Sequence, residues 1–376
     1  MSDYKIPSLP LPFKFESVAI YKQLSAASRA LAELKGVAQT IPNENILLNT
    51  LVLQEAKDSS EVENIVTTQD EVYQADLDIQ ETLSKPAQKE VLRYREAMHK
   101  GFGLVRSNHL LTNAVIKQIQ QVLEQNKAGF RAVPGTALKN GHGETIYTPP
   151  QSKDEIERLM SNLEKFINDP EVSDLDPLIK LPIIHHQFES VHPFYDGNGR
   201  TGRIINILYL VTNGLLDLPI LYLSRYINHN KARYYSLIQE IREKAPDNEK
   251  EWESWIIFLL KGVEETANEN VILVGKIREL MQEYKQKIRS AFGAKYNHEL
   301  LNNLFKHPYT KIEYIVRDLE VYRLTAAKYL DELVKMGLLN KEKVGNSNYY
   351  INQRLIDLFI NQPNVEDKLP EKEKVC

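Results

Sequence analysis

The chain is expected to be mainly α-helical: a helical bundle that carries one β-hairpin, followed by a small helix-turn-helix unit with a β-wing. Three observations lead there. Apolar residues recur at helical spacing over most of the 376 residues. One Asn140-Gly141 pair sits between two short arms that lack a helical period. Near the C-terminus, two short amphipathic segments precede a second pair of arms around Gly345-Asn346.

This length allows two or three domains, each with its own core. Hydrophobic content of 42% and charged content of 26% are ordinary for a soluble globular chain. A net charge of −4 argues against a nucleic-acid footprint over the whole surface and leaves room for a local basic patch. The single cysteine, Cys376, excludes an internal disulfide and a Cys-based zinc site. No apolar run approaches ~18 residues, and Met1 to Lys5 lacks a signal-peptide core, so a cytoplasmic location without a membrane partner is expected.

In chain order, residues 1–16 are proline-rich and read as an extended arm lying on the body. Helical spacing runs from Glu16 through Leu34, with Gly36 as a C-cap, and again from Asn45 to Lys57. Asp58 and Ser59 are N-cap residue types, and Glu61 falls near a capping-box position, which predicts a short separate helix through Ile65. Glu71 to Gln80, Lys89 to Lys100 and Asn108 to Gln121 are further helices. Gly129 to Gly135 breaks the pattern, and Thr136 to Tyr147 is the hairpin, closed by Thr148-Pro149-Pro150. Asp154 to Ile167 and Pro177 to Glu189 are helical, as is the apolar run Ile204 to Val211. Leu223 to Asn228 reads as a kinked connector, then Lys231 to Arg242 and Glu251 to Gly262 as helices. Two adjacent tyrosines, Tyr234 and Tyr235, cannot both face a core from one helix, so one of them is expected to line a cleft. Val271 to Arg289 is a charged amphipathic helix, read as a connector to a last unit.

That unit spans about residues 291–360. Helix Ile312 to Leu319, the turn Glu320-Val321-Tyr322, a helix through Thr325 to Leu333 and a wing from Leu338 to Ile351 resemble a winged helix-turn-helix. In a DNA-binding unit of this kind the second helix enters the major groove. Its exposed positions offer Arg323, Thr325, Lys328 and Lys335 against Asp331 and Glu332, a thin supply of phosphate contacts. Dimerisation of the chain or docking of a substrate are the other roles considered. Residues 361–376 form a charged tail, expected to be disordered.

The chemistry concentrates in His192-Pro193-Phe194-Tyr195-Asp196-Gly197-Asn198-Gly199-Arg200-Thr201-Gly202-Arg203, a polar loop that runs into the N-terminus of an apolar helix. The first amides of a helix lack intrahelical partners, and the macrodipole adds partial positive charge there. Gly197 and Gly199 permit φ > 0, which turns successive amides into an anion nest. Arg200 and Arg203, three apart, share a face from which to grip a polyphosphate. Asp196 stands where a carboxylate would hold Mg²⁺, which takes one or two protein carboxylates and fills its other positions with phosphate and water. His192 is the group whose unperturbed pKa suits proton abstraction near neutrality. Packing alone has no use for two arginines, an aspartate and a histidine around two glycines.

The stretch matches the signature His-x-Phe-x-(Asp/Glu)-Gly-Asn-Gly-Arg-x-x-Arg, and the chain resembles the Fic family over roughly residues 1–262. The resemblance implies a Fic-type helical bundle and a protein adenylyltransferase that moves AMP from ATP to a Ser, Thr or Tyr hydroxyl of a protein, itself included. It implies ATP on Gly197, Asn198, Gly199, Arg200, Thr201, Gly202 and Arg203, bordered by His192 as base and by Glu63, with Mg²⁺ on Asp196. The Asn198 side chain is expected to orient the α-phosphate, and Tyr235 to contact the nucleoside. Ser59 to Asn64 fits the family's inhibitory-helix pattern (Ser/Thr)-x-x-x-Glu-(Gly/Asn), which implies that Glu63 pairs with Arg203. The hairpin corresponds to the family's flap, whose edge, here Thr136, Ala137, Leu138 and Lys139, would pair with the target segment. The implied organisation is an N-terminal region 1–100 with the inhibitory helix at about 58–65, a catalytic core 101–262, a connector helix 263–290 and the winged unit 291–360. Rival readings are a nucleotide-sensing DNA-binding regulator, a de-AMPylase, and a transferase of another phosphate-containing group.

Overall fold

Amphipathic spacing becomes helix along nearly the whole chain. The computed structural model describes residues 4–77, 85–139, 141–245, 247–293, 296–344 and 347–361. The expected tail beyond 361 and the turn residues Asn140, Gly345 and Asn346 lie outside them.

The N-terminal arm is extended, with Leu9 and Leu11 buried and the Leu9 backbone bracketed by the Asn162 amide at 2.7 and 2.9 Å. Helix α1 spans Val18–Ala38, capped by Ser17, and runs through Gly36 rather than ending there. Helix α2 spans Glu44–Val62. The separate helix expected at 58–65 is therefore the last turn of α2. Ser59, Ser60 and Val62 are buried and the Ser60 hydroxyl bonds back to the Ala56 carbonyl at 2.8 Å, so packing overrides the cap preference of Asp58 and Ser59. Asn64, at φ 63°, supplies the left-handed exit after Glu63.

Helices α3 (Gln69–Leu77), α4 (Pro86–Asn108) and α5 (Asn113–Glu124) follow. Strands β1 (Leu138–Lys139) and β2 (Thr145–Tyr147) make the antiparallel hairpin, with Leu138 opposite Tyr147. Then come α6 (Lys153–Asn168), α7 (Pro177–Val191), α8 (Asn198–Thr212), α9 (Leu223–His229) and α10 (Lys231–Lys244). The expected connector at 223–228 is thus helical. Helices α7 and α8 are buried on nearly every side, which explains why their sequences lack a polar face.

Helix α11 spans Glu249–Phe292, 44 residues and roughly 66 Å at 1.5 Å per residue. It fuses the two helices expected at 251–262 and 271–289, because Val263, Thr266, Ala267 and Asn270 between them are also buried. Asn270 there donates to the Ile220 carbonyl at 2.7 Å.

The last unit contains α12 (His298–Lys306), β3 (Tyr309–Thr310), α13 (Ile312–Leu319), α14 (Arg323–Lys335), β4 (Asn340–Val344), β5 (Ser347–Ile351) and α15 (Gln353–Ile360). Its sheet has the order β3-β5-β4, all antiparallel. The unit packs on the body instead of hanging from a connector. Tyr73 of α3 stacks on Tyr309 at 5.9 Å, Tyr309 donates to Asp70 at 3.1 Å, and Tyr284 of α11 donates to the Leu338 carbonyl at 2.8 Å.

Candidate active site

The two central helices meet at the signature. His192 is the C-cap of α7 in the left-handed region, φ 47° and ψ 59°, and its amide donates to Phe188 O at 2.9 Å. This turn sends the chain across to Gly197, itself left-handed at φ 76°, and into α8. Asn198 pins the loop: its side chain accepts from the Phe194 amide and donates to the Phe194 carbonyl, both at 2.9 Å. The side chain expected to orient a phosphate therefore holds the loop that would do so. Gly199 does not adopt φ > 0; it is a helical residue of α8, and a Cβ there would fall on the Glu63 carboxylate.

A cleft of about 440 Å³ opens over the N-terminus of α8, lined by Glu63, Ile65, Glu90, Glu124, His192, Tyr195 and Asp196 through Arg200. It gathers Glu63, His192 and Asp196 through Arg200 of the expected site, whereas Arg203 lies buried outside its lining. Arg200 pairs with Glu90 of α4 and with Glu124 of α5 at 2.9 Å. Arg203, 2% exposed, donates to Ser59 Oγ at 2.7 Å, to Ser59 O at 2.9 Å and to Glu63 Oε1 at 2.8 Å. Both guanidiniums are thus committed to protein acceptors instead of sharing one open face. Lys231 donates to the Asn64 side chain at 2.8 Å, beside the same contact.

Other expected contacts fall outside the cleft. Thr201 is buried, and Gly202 faces Phe188 and Glu189, where a side chain would clash; both pack the bundle. Tyr234 is buried and bonds His185 at 2.8 Å, whereas Tyr235 is 45% exposed and lies edge-on to it at 5.0 Å. The pair splits as its adjacency requires, yet Tyr235 does not line the cleft. In the hairpin, Thr136 and Ala137 precede β1, and none of Thr136 to Lys139 lines the cleft. The hairpin is rooted by Tyr147, whose hydroxyl donates to Ser190 O at 2.9 Å.

Electrostatics sharpen the site. Burial, with the positive charges of Arg131 and Arg242, pushes His192 down to about 4, so the imidazole is neutral at neutral pH; the Glu63 charge and the Glu189 carbonyl act the other way. For Glu63, burial favours the acid form, but Arg203 first and then Arg200 and Lys231 hold the carboxyl below its usual value. Burial raises Glu124, reinforced by Asp196 and Glu90 and opposed by Arg200. Glu189, one turn before His192, is pushed up to about 7 by burial, and its Oε1 is buried without a partner.

Asp196 lies exposed at the rim and accepts the Gly197 amide at 2.7 Å. Among the described residues no group of three or more His, Cys, Asp or Glu side chains could cage a metal ion. A single rim carboxylate fits Mg²⁺ that arrives with phosphates, and does not fit a metal held by protein alone. Glu90, Glu124, Glu189 and Arg131 escaped the sequence reading. Glu90 and Glu124 come from other helices, α4 and α5, and neither their spacing nor their type marks them. A second cleft, of about 490 Å³, lies behind α2 between Lys57, Asp58, Glu61, Arg225 and Phe359 and holds none of the signature residues.

Three family models tile the chain: Fic/DOC family N-terminal over residues 21–103, Fic/DOC family over 110–210, and the protein adenylyltransferase SoFic-like C-terminal domain over 280–355. The chain belongs to the Fic/DOC family. It is 41% identical over 71 residues to a probable protein adenylyltransferase of Aquifex aeolicus, covering 19% of this chain and 20% of that one. It is 32% identical over 94 residues to protein adenylyltransferase Fic of Drosophila erecta, covering 25% and 18%. The matches thus span about a fifth of those relatives' length. A solved Fic family protein from Desulfovibrio desulfuricans superposes with a TM-score of 0.55 at 16% identity, over 91% of this chain and 98% of that one, a likeness of fold.

Proposed function

We propose that the protein is an adenylyltransferase that transfers AMP from ATP to a hydroxyl side chain of a protein, with His192 as base and Glu63 as a lock on Arg203. The relatives named as protein adenylyltransferases support the reaction class. The observation that carries the site is the His192 imidazole at the edge of a cleft floored by the N-terminus of a buried helix.

In this reading the triphosphate lies over the first amides of α8, which have no intrahelical acceptors and favour negative charge. Those amides stabilise charge on the α-phosphate as the transition state forms, the preorganised-donor effect. His192 takes the proton of the target hydroxyl, its oxygen bonds to the α-phosphorus, and the bond to pyrophosphate breaks. Phosphate charge beside the imidazole favours its protonated form and so strengthens the base when nucleotide is bound. Asp196 would hold Mg²⁺, which neutralises phosphate charge. Arg200 and Arg203 reach phosphates only by exchanging carboxylates for them. For Arg203 the carboxylate is Glu63, so the lock and the substrate compete for one guanidinium.

The C-terminal unit is assigned to protein contacts. Arg323 pairs with Glu313, Lys335 with Glu332 and Lys341 with Asp331, which leaves few cations on that face for a phosphate backbone. The test of the function is incorporation of labelled AMP from ATP by the Glu63→Gly protein, with the His192→Ala form of the same protein as the blank. Equal label in both would end the assignment of His192. No label in either would end the transferase reading.

A further inference from the structure

Among the described residues, four arginines are buried: Arg131, Arg200, Arg203 and Arg242. All four surround the junction of α7 and α8. Arg200 and Arg203 face carboxylates. Arg131 and Arg242 reach neutral oxygens. Arg242 Nε and Nη2 share Ser190 Oγ at 3.3 and 3.2 Å. Arg131, 0% exposed, donates from Nε to His192 O at 2.8 Å and from Nη2 to Val191 O at 3.3 Å, while its Nη1 is buried without a partner.

Burying a guanidinium without a counter-charge is costly, so a purely architectural reason for it should be sought first. Anchoring the loop before the hairpin is not that reason. The Arg131 backbone already does this, its amide donating to Pro193 O at 2.8 Å. Capping the end of α7 is a better candidate, since Val191 and His192 carry carbonyls that the helix leaves unpaired. Yet the capped residue is His192 itself, in a left-handed conformation that a non-glycine residue seldom adopts. The backbone turn that Arg131 clasps is the turn that sets the imidazole at the edge of the cleft.

We infer that Arg131 is a positioning residue for His192: it locks the left-handed turn that aims the imidazole and places an uncompensated positive charge beside it. The inference rests on the reading of His192 as the base. The charged groups that act on the ring are Arg131 from the loop after α5, Arg242 from α10 and Glu63 from the end of α2, with the Glu189 carbonyl of α7. Arg131 stands first among the charges. Removing it should let the ring take up a proton at higher pH.

The experiment uses the full chain carrying Glu63→Gly and compares Arg131, Arg131→Lys and Arg131→Met. Two readouts are taken: kcat and KM for ATP in AMP incorporation, and the His192 ring titration by NMR of histidine-labelled protein, assigned with His192→Ala. Arg131→Met is expected to lower kcat on the order of 10–100-fold, with KM for ATP within about threefold, and to move the ring titration upward by about one pH unit. Arg131→Lys keeps the charge but lacks the planar fork whose Nε and Nη2 reach the two carbonyls, so it should keep the titration and still lose about tenfold in kcat. An unchanged kcat in both variants overturns the inference, as does a raised KM with kcat intact. A ring titration identical in Arg131→Met and the parent overturns the charge effect. If Arg131→Met does not fold, the split between kcat and titration in Arg131→Lys decides. Should the Glu63→Gly parent incorporate no AMP, the transferase reading falls, while the titration still tests what Arg131 does to His192.

Discussion

At the scale of single residues, the site is built from side chains in unusual surroundings: a half-buried histidine whose pKa is pushed down, a carboxylate bound to a buried arginine, and a left-handed glycine. Replacing Glu63 by Gly frees Arg203 and is expected to raise auto-AMPylation roughly tenfold or more, a change of about 1.4 kcal/mol, measured as label incorporated from ATP. Unchanged incorporation would remove the lock. Gly197 has φ 76°, and a Cβ there would meet the Glu124 carboxylate, so Gly197→Ala should lower stability by about 1–2 kcal/mol in denaturant unfolding. The signature residues were legible because they are contiguous and chemically improbable as packing. Glu90, Glu124 and Arg131 were not, since each reaches the site from a distant part of the chain and looks, in the sequence, like any charged residue.

At the scale of elements, α2 matters most. Its last turn presents Ser59 and Glu63 to Arg203 on one side and Lys57, Asp58 and Glu61 to the second cleft on the other. Ser59→Ala removes a buried acceptor of a charged donor and is expected to cost about 1.5–3 kcal/mol of stability. It should also raise AMP incorporation, by less than Glu63→Gly does. A variant as stable and as inactive as the parent would show that Ser59 does not brace the pair. The sequence suggested a fresh helix at Asp58, and its cap residues do favour one locally. Burial of Ala56, Ser59 and Val62 outweighs that preference and carries α2 straight through. The same balance joins the two halves of α11, whose polar middle looked like a break until Thr266 and Asn270 were found buried.

At the scale of the whole molecule, the body hides ionisable groups in unfavourable states, and stability should respond to pH from both sides. His185 and His192 are pushed down to about 3 and about 4, each chiefly by burial, and burial also holds His186 well below its usual value. These rings stay neutral in the fold, so the stability they support is present above about pH 6.5 and is lost as pH falls toward 4. Burial pushes Glu55, Glu189 and Asp58 up to about 8, about 7 and about 6. Their protonated forms suit the fold, so stability falls as pH rises from the ordinary carboxylate range through those values. Glu55 is held by Ser224 and by the Tyr94 hydroxyl at 3.2 Å, partners that an amide can keep. Glu55→Gln should therefore flatten the loss of stability between pH 5 and pH 8, by roughly 3 kcal/mol, in denaturant unfolding at the two pH values. Equal slopes in the variant and the parent would show that Glu55 is already ionised at pH 5.

Helical periodicity, turn chemistry and the twelve-residue signature are local properties, and they suffice for a helical bundle with a hairpin, for the placing of the signature loop and for the family resemblance. Partnership is not local. Which carboxylate holds Arg200, that Asn198 serves its own loop, that α2 continues through its cap residues and that the last unit leans on α3 all depend on side chains far apart in sequence. Those pairings follow from burial, because inside a packed core a charge or an amide must bond to whatever the fold brings within reach.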